Sequence, residues 1–272
     1  HPQKRTTKMM TDAENPIPTI LACDIGNTSV QIASLNGNNL CGSILTFGND
    51  DLSGLGDGLT ALWDEMGQEG KVAACSVNPE GLAALEAAAD EAIGQSVLVV
   101  GRDLPLPIET NLPQPGGIGT DRLCAAVAAY DQLGVACIIA DFGSAITIDC
   151  VNDQGVFQGG AILPGLQMGA RALASQTAQL PEVKLVDPDW VYGQDTPQAI
   201  IGGLVRGARG SLRELVEVYA TEMGSWPLVI LTGGDAKLIC KDVNESDIAQ
   251  AIVDDLVLRG VAMAYYKFML KK

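Results

Sequence analysis

Histidine is nearly missing from this 272-residue sequence, which contains only His1. A catalytic base built on histidine is therefore excluded in practice, and proton transfer falls to carboxylate, lysine, tyrosine or cysteine side chains. The seven cysteines are odd in number and never spaced as CxxC, a pattern typical of buried, reduced thiols. With neither usable histidine nor paired cysteines, the sequence offers no zinc site.

Other signatures are also absent. No apolar run reaches the ~18 residues of a membrane span, and there is no GxxxxGK(S/T) motif and no GxGxxG after a strand, which excludes the P-loop and dinucleotide-binding classes. Lysine and arginine number 17 against 33 aspartates and glutamates, for a formal charge of −16. That charge disfavours nucleic acid and anionic membranes as partners, but local devices such as helix N-termini and bridging cations can still hold a nucleotide.

The length predicts two domains or one duplicated unit. Residues 1–17 are polar and lack the apolar segment of a secretory signal, so we expect a disordered tail and a cytoplasmic protein. We place the first domain at residues 18–134 with a C-terminal helix at 253–272, and the second domain at 135–252.

Two trios of predicted strands carry similar turns after their first strands, DIGNT at residues 24–28 and DFGSA at 141–145. Turn residues and apolar runs set the strand bounds: Pro18–Ile25, Ser29–Leu35 and Leu40–Phe47, then Val135–Asp141, Ala145–Val151 and Val156–Ile162. The repeat indicates an internal duplication, in which two α/β halves face each other and both turns line the cleft between them.

Capping residues predict two helices with defined ends. Asn78 and Pro79 begin an alanine-rich helix that Gly94 ends, and a second helix runs from about Thr120 to Leu133. A buried strand is expected at Lys71–Ser76.

The turn that begins at Asp24 has the composition of a phosphate-binding hairpin. Gly26 lets the backbone approach a ligand, neighbouring N–H groups can hold phosphate oxygens, and the Asp24 carboxylate can hold a hydrated Mg²⁺. An ordinary β-turn has the same composition, so both interpretations stand at this point.

The segment PGGIGTDR at residues 115–122 leads directly into the second helix. Its glycines leave room for a ligand, and Asp121 is the best-placed general base for a hydroxyl nucleophile. The alternative is structural, with Thr120 or Asp121 as a helix N-cap and Arg122 as a surface partner.

Two further glycine pairs follow strands. GGAILPG at residues 159–165 opens a helix, and TGGD at 232–235 places Gly233 and Gly234 where adenine or ribose could lie against the backbone. Tight structural turns explain both pairs as well.

Seven segments, in order and over roughly residues 18–240, resemble the type III pantothenate kinases: DIGNT at 24–28, GTDR at 119–122, DFGSAITID at 141–149, GGAILPG at 159–165, LASQTAQLP at 173–181, GQDT at 193–196 and TGGD at 232–235. The resemblance implies a duplicated actin-like (ribonuclease H-like) α/β fold, with mixed five-stranded sheets flanked by helices and an active site in the interdomain cleft. It also implies a homodimer that phosphorylates pantothenate to 4'-phosphopantothenate, the first step of coenzyme A biosynthesis. ATP with Mg²⁺ and a monovalent cation, K⁺ or NH₄⁺, would be the cofactors.

The resemblance also implies residue roles. Asp121 would accept the hydroxyl proton, Asp141 would bind the monovalent cation and Asp24 would serve Mg²⁺. Pantothenate would be contacted by Gly119, Thr120, Asp121 and Arg122, with Thr196 reaching it across the dimer interface. The nucleotide would be contacted by Asp24, Gly26, Asn27, Thr28, Gln31, Ser144, Gly233 and Gly234.

Three positions depart from the family pattern. Gln31 stands where a lysine is usual in the family. Leu112 stands about where many members have a tyrosine near the substrate. Ser144 replaces the usual threonine but keeps the hydroxyl. Gln31 and Leu112 keep a second interpretation open, a catalytically weakened member acting as a regulatory or binding protein. An actin-like sugar kinase or exopolyphosphatase is a third.

Overall fold

The computed structural model describes residues 18–241, 243 and 246–270, so the predicted tail at 1–17 lies outside the described residues. The first half forms a five-stranded sheet in the order β3-β2-β1-β4-β5. β1, β2 and β3 are antiparallel, and β4 and β5 run parallel to β1. Its elements are β1 (Thr19–Ile25), β2 (Ser29–Asn36), β3 (Asn39–Gly48), α1 (Leu55–Glu65), β4 (Lys71–Ser76), α2 (Pro79–Ile93) and β5 (Val97–Val99).

The second half repeats this arrangement. Its elements are β6 (Glu109–Thr110), α3 (Thr120–Leu133), β7 (Cys137–Phe142), β8 (Ala145–Val151), β9 (Val156–Pro164), α4 (Leu166–Gln176), α5 (Thr196–Met223), β10 (Leu228–Thr232), α6 (Ala236–Ile239), β11 (Ala251–Ile252) and α7 (Leu256–Met269). The sheet order is β11-β10-β7-β8-β9-β6, with β7, β8 and β9 antiparallel. The short β6 adds a sixth strand to the five that were expected.

Local sequence explains several element ends. The Asn78 side chain accepts hydrogen bonds from the N–H groups of Glu80 and Gly81, both at 3.1 Å, and so caps α2. Gly94 and Gly134 end α2 and α3 in the left-handed conformation, with φ of 63° and 66°. No helix in the described ranges is long and apolar enough to span a membrane.

Two helices, α3 and α7, connect the halves. α7 packs on the first sheet, α3 packs on the second, and the two helices also pack against each other. Because α3 contacts the second sheet, the domain boundaries expected from the sequence, 18–134 with 253–272 and 135–252, remain a proposal. The contact between these helices fixes how the turns of the two halves face each other.

At Gly260, α7 packs directly against the backbone of α3. A Cβ at this position would lie 2.0 Å from the carbonyl oxygen of Cys124 in α3. We therefore expect Gly260→Ala to lower the free energy of unfolding by about 1–3 kcal/mol or more, because backbone cannot move aside as a side chain can.

Gly210 in α5 supplies the matched control, since a Cβ there meets nothing within 4 Å. Gly210→Ala should be neutral or stabilising, by up to about 1 kcal/mol. Denaturant unfolding of both variants tests the contact, and equal stability of the two would contradict it.

Candidate active site

The two similar turns meet at their tips. The turn between β1 and β2 carries Thr28, the turn between β7 and β8 carries Ser144, and their hydroxyl oxygens are 2.6 Å apart. Gly26 closes the first turn by donating its N–H to the Ser29 carbonyl at 2.9 Å. Asn27 is exposed beside it. The predicted cleft between the halves therefore has the two turns on its opposite walls.

Asn49, at the end of β3, holds the first turn from behind. Its backbone N–H donates to the Thr28 carbonyl at 2.9 Å, and its side-chain Nδ2 donates to the Gly26 carbonyl at 3.0 Å. Sequence analysis missed this residue, because a single asparagine after a strand carries no sign of a partner some twenty residues earlier. Asn49 fixes the turn so that its glycine backbone faces the cleft.

Three predicted acidic residues come together at this cleft. Asp24 and Asp141 lie near the ends of β1 and β7, and Asp121 sits in the first turn of α3. Burial raises the pKa of Asp24 to about 7, and the charges of Asp121 and Asp141 add to the effect. Burial likewise raises the pKa of Asp141 to about 7, with further contributions from Asp121 and Asp149. Carboxylates that raise each other's pKa in this way gather negative charge as they ionise, and a bound cation would favour their ionised forms.

Asp24 has a thiol partner that the sequence did not indicate. Cys75 lies beside it in the parallel register of β1 and β4, and its Sγ donates to Asp24 Oδ1 at 3.3 Å. This bond opposes the rise in the pKa of Asp24. A hydrogen bond with Cys124, followed by burial, keeps the pKa of the Cys75 thiol well above its ordinary value, so the thiol remains a protonated donor.

Asp121 is held at the start of α3 without acting as its cap. The N-cap position is Gly119, and no side chain caps the helix, so the cap alternative for Thr120 and Asp121 is wrong. The backbone N–H of Arg122 donates to Asp121 Oδ1 at 2.8 Å. A Cβ on Gly119 would lie 2.4 Å from that same oxygen. Burial raises the pKa of Asp121, and the Arg122 N–H and charge oppose this rise.

The Thr120 hydroxyl is already engaged within the protein. It donates to the Ser76 carbonyl and accepts from the Ser76 N–H, both at 3.2 Å. These bonds attach the start of α3 to the end of β4. The contact between Thr120 and pantothenate stays a prediction, and the fold gives this hydroxyl a second, structural purpose.

Arg122 pairs with Asp149 of β8, and both side chains are largely buried. Arg122 Nε donates to Asp149 Oδ2 at 3.0 Å and to Oδ1 at 3.2 Å, and Nη2 also bonds Oδ1. The guanidinium lies over the Phe157 ring, 5.7 Å from its centroid. Arg122 is therefore not a surface partner, and sequence analysis assigned no role to Asp149.

Glycines bring backbone against the second turn. Gly233, with φ of +89°, is so close that a Cβ would lie 2.3 Å from Asp141 Oδ1. Gly234 faces open space, with nothing within 4 Å of a Cβ. Gly165, at the start of α4, would place a Cβ 2.3 Å from the Ser144 carbonyl. Gly233 therefore packs against Asp141, and the open space lies beside Gly234.

The remaining predicted residues, Thr196 and Gln31, and the departing position Leu112 differ in how they lie relative to the aspartates. Thr196 begins α5 and lines a separate groove of about 660 Å³, together with Leu173, Leu180 and Leu204. Gln31 lies in β2, directly opposite Asp24 in the antiparallel register. Leu112 packs against the core of the second sheet. Within one chain, the structure does not bring Thr196 to the aspartates.

The acidic cleft suits a cation that brings most of its own ligands. Among the described residues, no group of three or more side chains of the metal-binding types could hold an ion. Mg²⁺ commonly binds through one or two carboxylates and completes its shell with water and substrate phosphates. Asp24 beside the turn fits that mode, and Asp141 offers a second carboxylate.

The raised pKa values predict an unusual pH dependence of stability. In the folded state Asp24 and Asp141 hold their protons up to about pH 7, whereas in the unfolded chain they lose them near pH ~4. Between these values the folded state binds more protons, so the free energy of unfolding falls as pH rises. The ligand-free protein should melt at a lower temperature at about pH 8 than at about pH 5, and Mg²⁺ should reduce the difference.

Asp141→Asn serves as the comparison for this measurement. The variant lacks one of the two carboxylates, so its melting temperature should change less over the same range. A melting temperature that rises or stays level from about pH 5 to about pH 8 in the parent protein would contradict the prediction.

Comparison with known proteins matches the model of the type III pantothenate kinase family to residues 20–218. A type III pantothenate kinase from Dehalococcoides mccartyi is 34% identical over 255 residues, which cover 90% of this chain and 96% of the relative. This chain belongs to the type III pantothenate kinase family. The family assignment made from the seven motifs is thereby confirmed.

Solved structures confirm the fold of this family member. A Baf-family protein from Campylobacter jejuni has a TM-score of 0.52 at 22% identity, covering 91% of this chain and 98% of that protein. Component A of (R)-2-hydroxyglutaryl-CoA dehydratase from Acidaminococcus fermentans has a TM-score of 0.51 at 14% identity, covering 93% and 98%. The actin-like fold class predicted from the sequence is confirmed.

Proposed function

We propose that this type III pantothenate kinase family member transfers the γ-phosphoryl group of ATP to the terminal hydroxyl of pantothenate. The products are 4'-phosphopantothenate and ADP, and the reaction is the first step of coenzyme A biosynthesis. The observation that carries the proposal is Asp121, a half-buried carboxylate at a helix start, close enough to Asp24 and Asp141 for its charge to raise the pKa of both.

In the proposed reaction Asp121 accepts the proton of the substrate hydroxyl while the hydroxyl oxygen bonds to the γ-phosphorus. The bond from that phosphorus to the β,γ-bridging oxygen breaks, and ADP leaves with the electron pair. N–H groups of the two turns, other than the Gly26 N–H that bonds the Ser29 carbonyl, would hold phosphate oxygens, and Gly233 and Gly234 would lie beside the nucleoside. Mg²⁺ held at Asp24 would offset phosphate charge.

A monovalent cation at Asp141, K⁺ or NH₄⁺, completes the proposal. Asp24, Asp121, Asp141 and Asp149 lie near one another, and of the described residues only Arg122 contributes positive charge to their pKa shifts. An ATP tetra-anion would be repelled by this cluster unless cations lie between them. The half-buried Asp141 carboxylate is suited to one such ion.

We further propose a homodimer in which Thr196 of one protomer contacts pantothenate bound to the other. Exposed apolar side chains support this assembly: Tyr192, which precedes Gly193 of the Thr196 groove, is 82% exposed, and Ile162 and Met168 are 64% and 49% exposed. A monomeric mass in solution would remove the shared site. The cytoplasmic location stays a prediction.

A coupled assay of ADP release tests the function. Purified protein, ATP, Mg²⁺ and K⁺ are mixed in turn with pantothenate, a hexose and polyphosphate. Of the three substrates, we expect only pantothenate to give ADP release. Release with the hexose would favour a sugar kinase, consumption of polyphosphate an exopolyphosphatase, and no turnover under any cation condition a regulatory or binding protein.

A further inference from the structure

The Asp149 end of its ion pair with Arg122 is enclosed by the protein. Asp149 is only 1% exposed, and its carboxylate receives the guanidinium side-on, through Nε and Nη2. On the far side, a Cβ on Gly160 would lie 2.4 Å from Asp149 Oδ1. Glycine at that position therefore makes room for the carboxylate, and Phe157 supports the guanidinium face.

The side-on geometry leaves one part of Arg122 available. Nη1 makes no hydrogen bond with any described residue, while the side chain keeps 15% of its surface exposed. A guanidinium carries five N–H donors in a fixed plane, so fixing one edge also fixes the direction of the remaining Nη1 donors. Asp149 determines where those donors point.

The same pair separates Arg122 from the other carboxylates. Asp121 is the adjacent residue, and its carboxylate already receives the backbone N–H of Arg122. A guanidinium without its partner would be free to pair with Asp121, which would stabilise the ionised form of that carboxylate and block it as a proton acceptor. Asp149 offers a fully buried alternative, and the three bonds to it are charge-assisted.

Resting on the proposed function, we infer that Asp149 is a positioning residue: it holds Arg122 so that Nη1 is presented to the carboxylate of pantothenate and the guanidinium stays off the base Asp121. The substrate is an anion entering an acidic cleft, and Arg122 is the cation among the described residues that acts on that cleft. Its orientation therefore governs substrate affinity more than nucleotide affinity.

Asp149→Asn is the direct test, since it keeps the shape of the side chain and replaces one acceptor by a donor. We expect the KM for pantothenate to rise about tenfold or more, as for loss of a charge-assisted hydrogen bond, and the KM for Mg-ATP to stay within about twofold. Asp187→Asn is the matched control, because Asp187 pairs with Arg209 at 2.7 Å outside the cleft. It should change neither KM.

A double-mutant cycle separates positioning from general support of the fold. In an Arg122→Met background, Asp149→Asn should add no further increase in the pantothenate KM, because the residue through which it acts is gone. Melting temperatures show which variants fold. If Asp149→Asn does not fold, Asp149→Ser is measured in its place.

An unchanged pantothenate KM in a folded Asp149 variant would overturn the inference, as would an undiminished effect in the Arg122→Met background. A parent protein that never phosphorylates pantothenate would overturn the proposed function and this inference with it. An active parent beside an unaffected Asp149 variant would count against the role of Asp149 alone.

Discussion

Asp121→Asn is expected to lower kcat by about 10²–10⁴-fold, the usual contribution of a general base. Asparagine has nearly the same shape and can still accept the Arg122 N–H, but it cannot take up a proton. The described residues contain no histidine to substitute for it. Because Asp121 is proposed to act on the hydroxyl and not on the nucleotide, the KM for Mg-ATP should change little.

Steady-state ADP release with saturating ATP and pantothenate measures this effect. Asp131→Asn is the control, since Asp131 lies on the same helix α3 but is exposed and bonds Asn38 at 2.9 Å. Its kcat should stay within about twofold of the parent value. Near-normal turnover in the Asp121 variant would show that another group accepts the proton.

Asp24→Asn should reduce kcat/KM for Mg-ATP by about a hundredfold or more, because a neutral amide cannot supply the negative charge that a divalent cation needs. The amide oxygen of the variant can still accept the Cys75 thiol, which donates to Asp24 Oδ1 at 3.3 Å in the parent, so the substitution removes the charge and keeps this hydrogen bond. Pantothenate affinity, in contrast, should be nearly unchanged.

Calorimetric titration with ADP, in the presence and absence of Mg²⁺, distinguishes this role from a packing defect. The parent should bind ADP more tightly with Mg²⁺, and Asp24→Asn should lose that difference. Cys75→Ser, which keeps a donor beside Asp24, should behave like the parent. An Asp24 variant that retains the full Mg²⁺ effect would place the cation at another residue.

Local sequence predicted the elements whose ends are marked by turn and capping residues. β4, β8, α2 and α3 have the bounds expected from their apolar runs and flanking residues. These signals are short-range, and neighbouring residues alone satisfy the backbone at each end. The duplication was visible because its two turns share a pattern at equivalent places.

Elements without such markers were missed. α1 has glycine at 54, 56 and 58 and no side-chain cap, and it is helical because Leu55, Leu59 and Trp63 are buried against the first sheet. α5 contains four glycines, at 202, 203, 207 and 210. They interrupt the spacing of apolar residues by which a helix is predicted from sequence. β6 and β11 are two residues each and depend on pairing with distant strands.

The site divides in the same way. Asp24, Asp121 and Asp141 carry recognisable motifs, so the sequence could predict that they converge. Cys75 and Asp149 reach the site through strand register and helix packing, at separations of 51 residues from Asp24 and 27 from Arg122. A single sequence contains no direct sign of such partners.

The 2.6 Å approach of Thr28 and Ser144 leaves no width for a phosphate group between the two hydroxyls. A nucleotide with its phosphates between the turns must therefore first part them, and the interaction lost is a single exposed hydrogen bond worth about 0.5–1.5 kcal/mol. The two turns are thus joined by one weak hydrogen bond, and the arriving phosphate oxygens can replace it as partners of both hydroxyls.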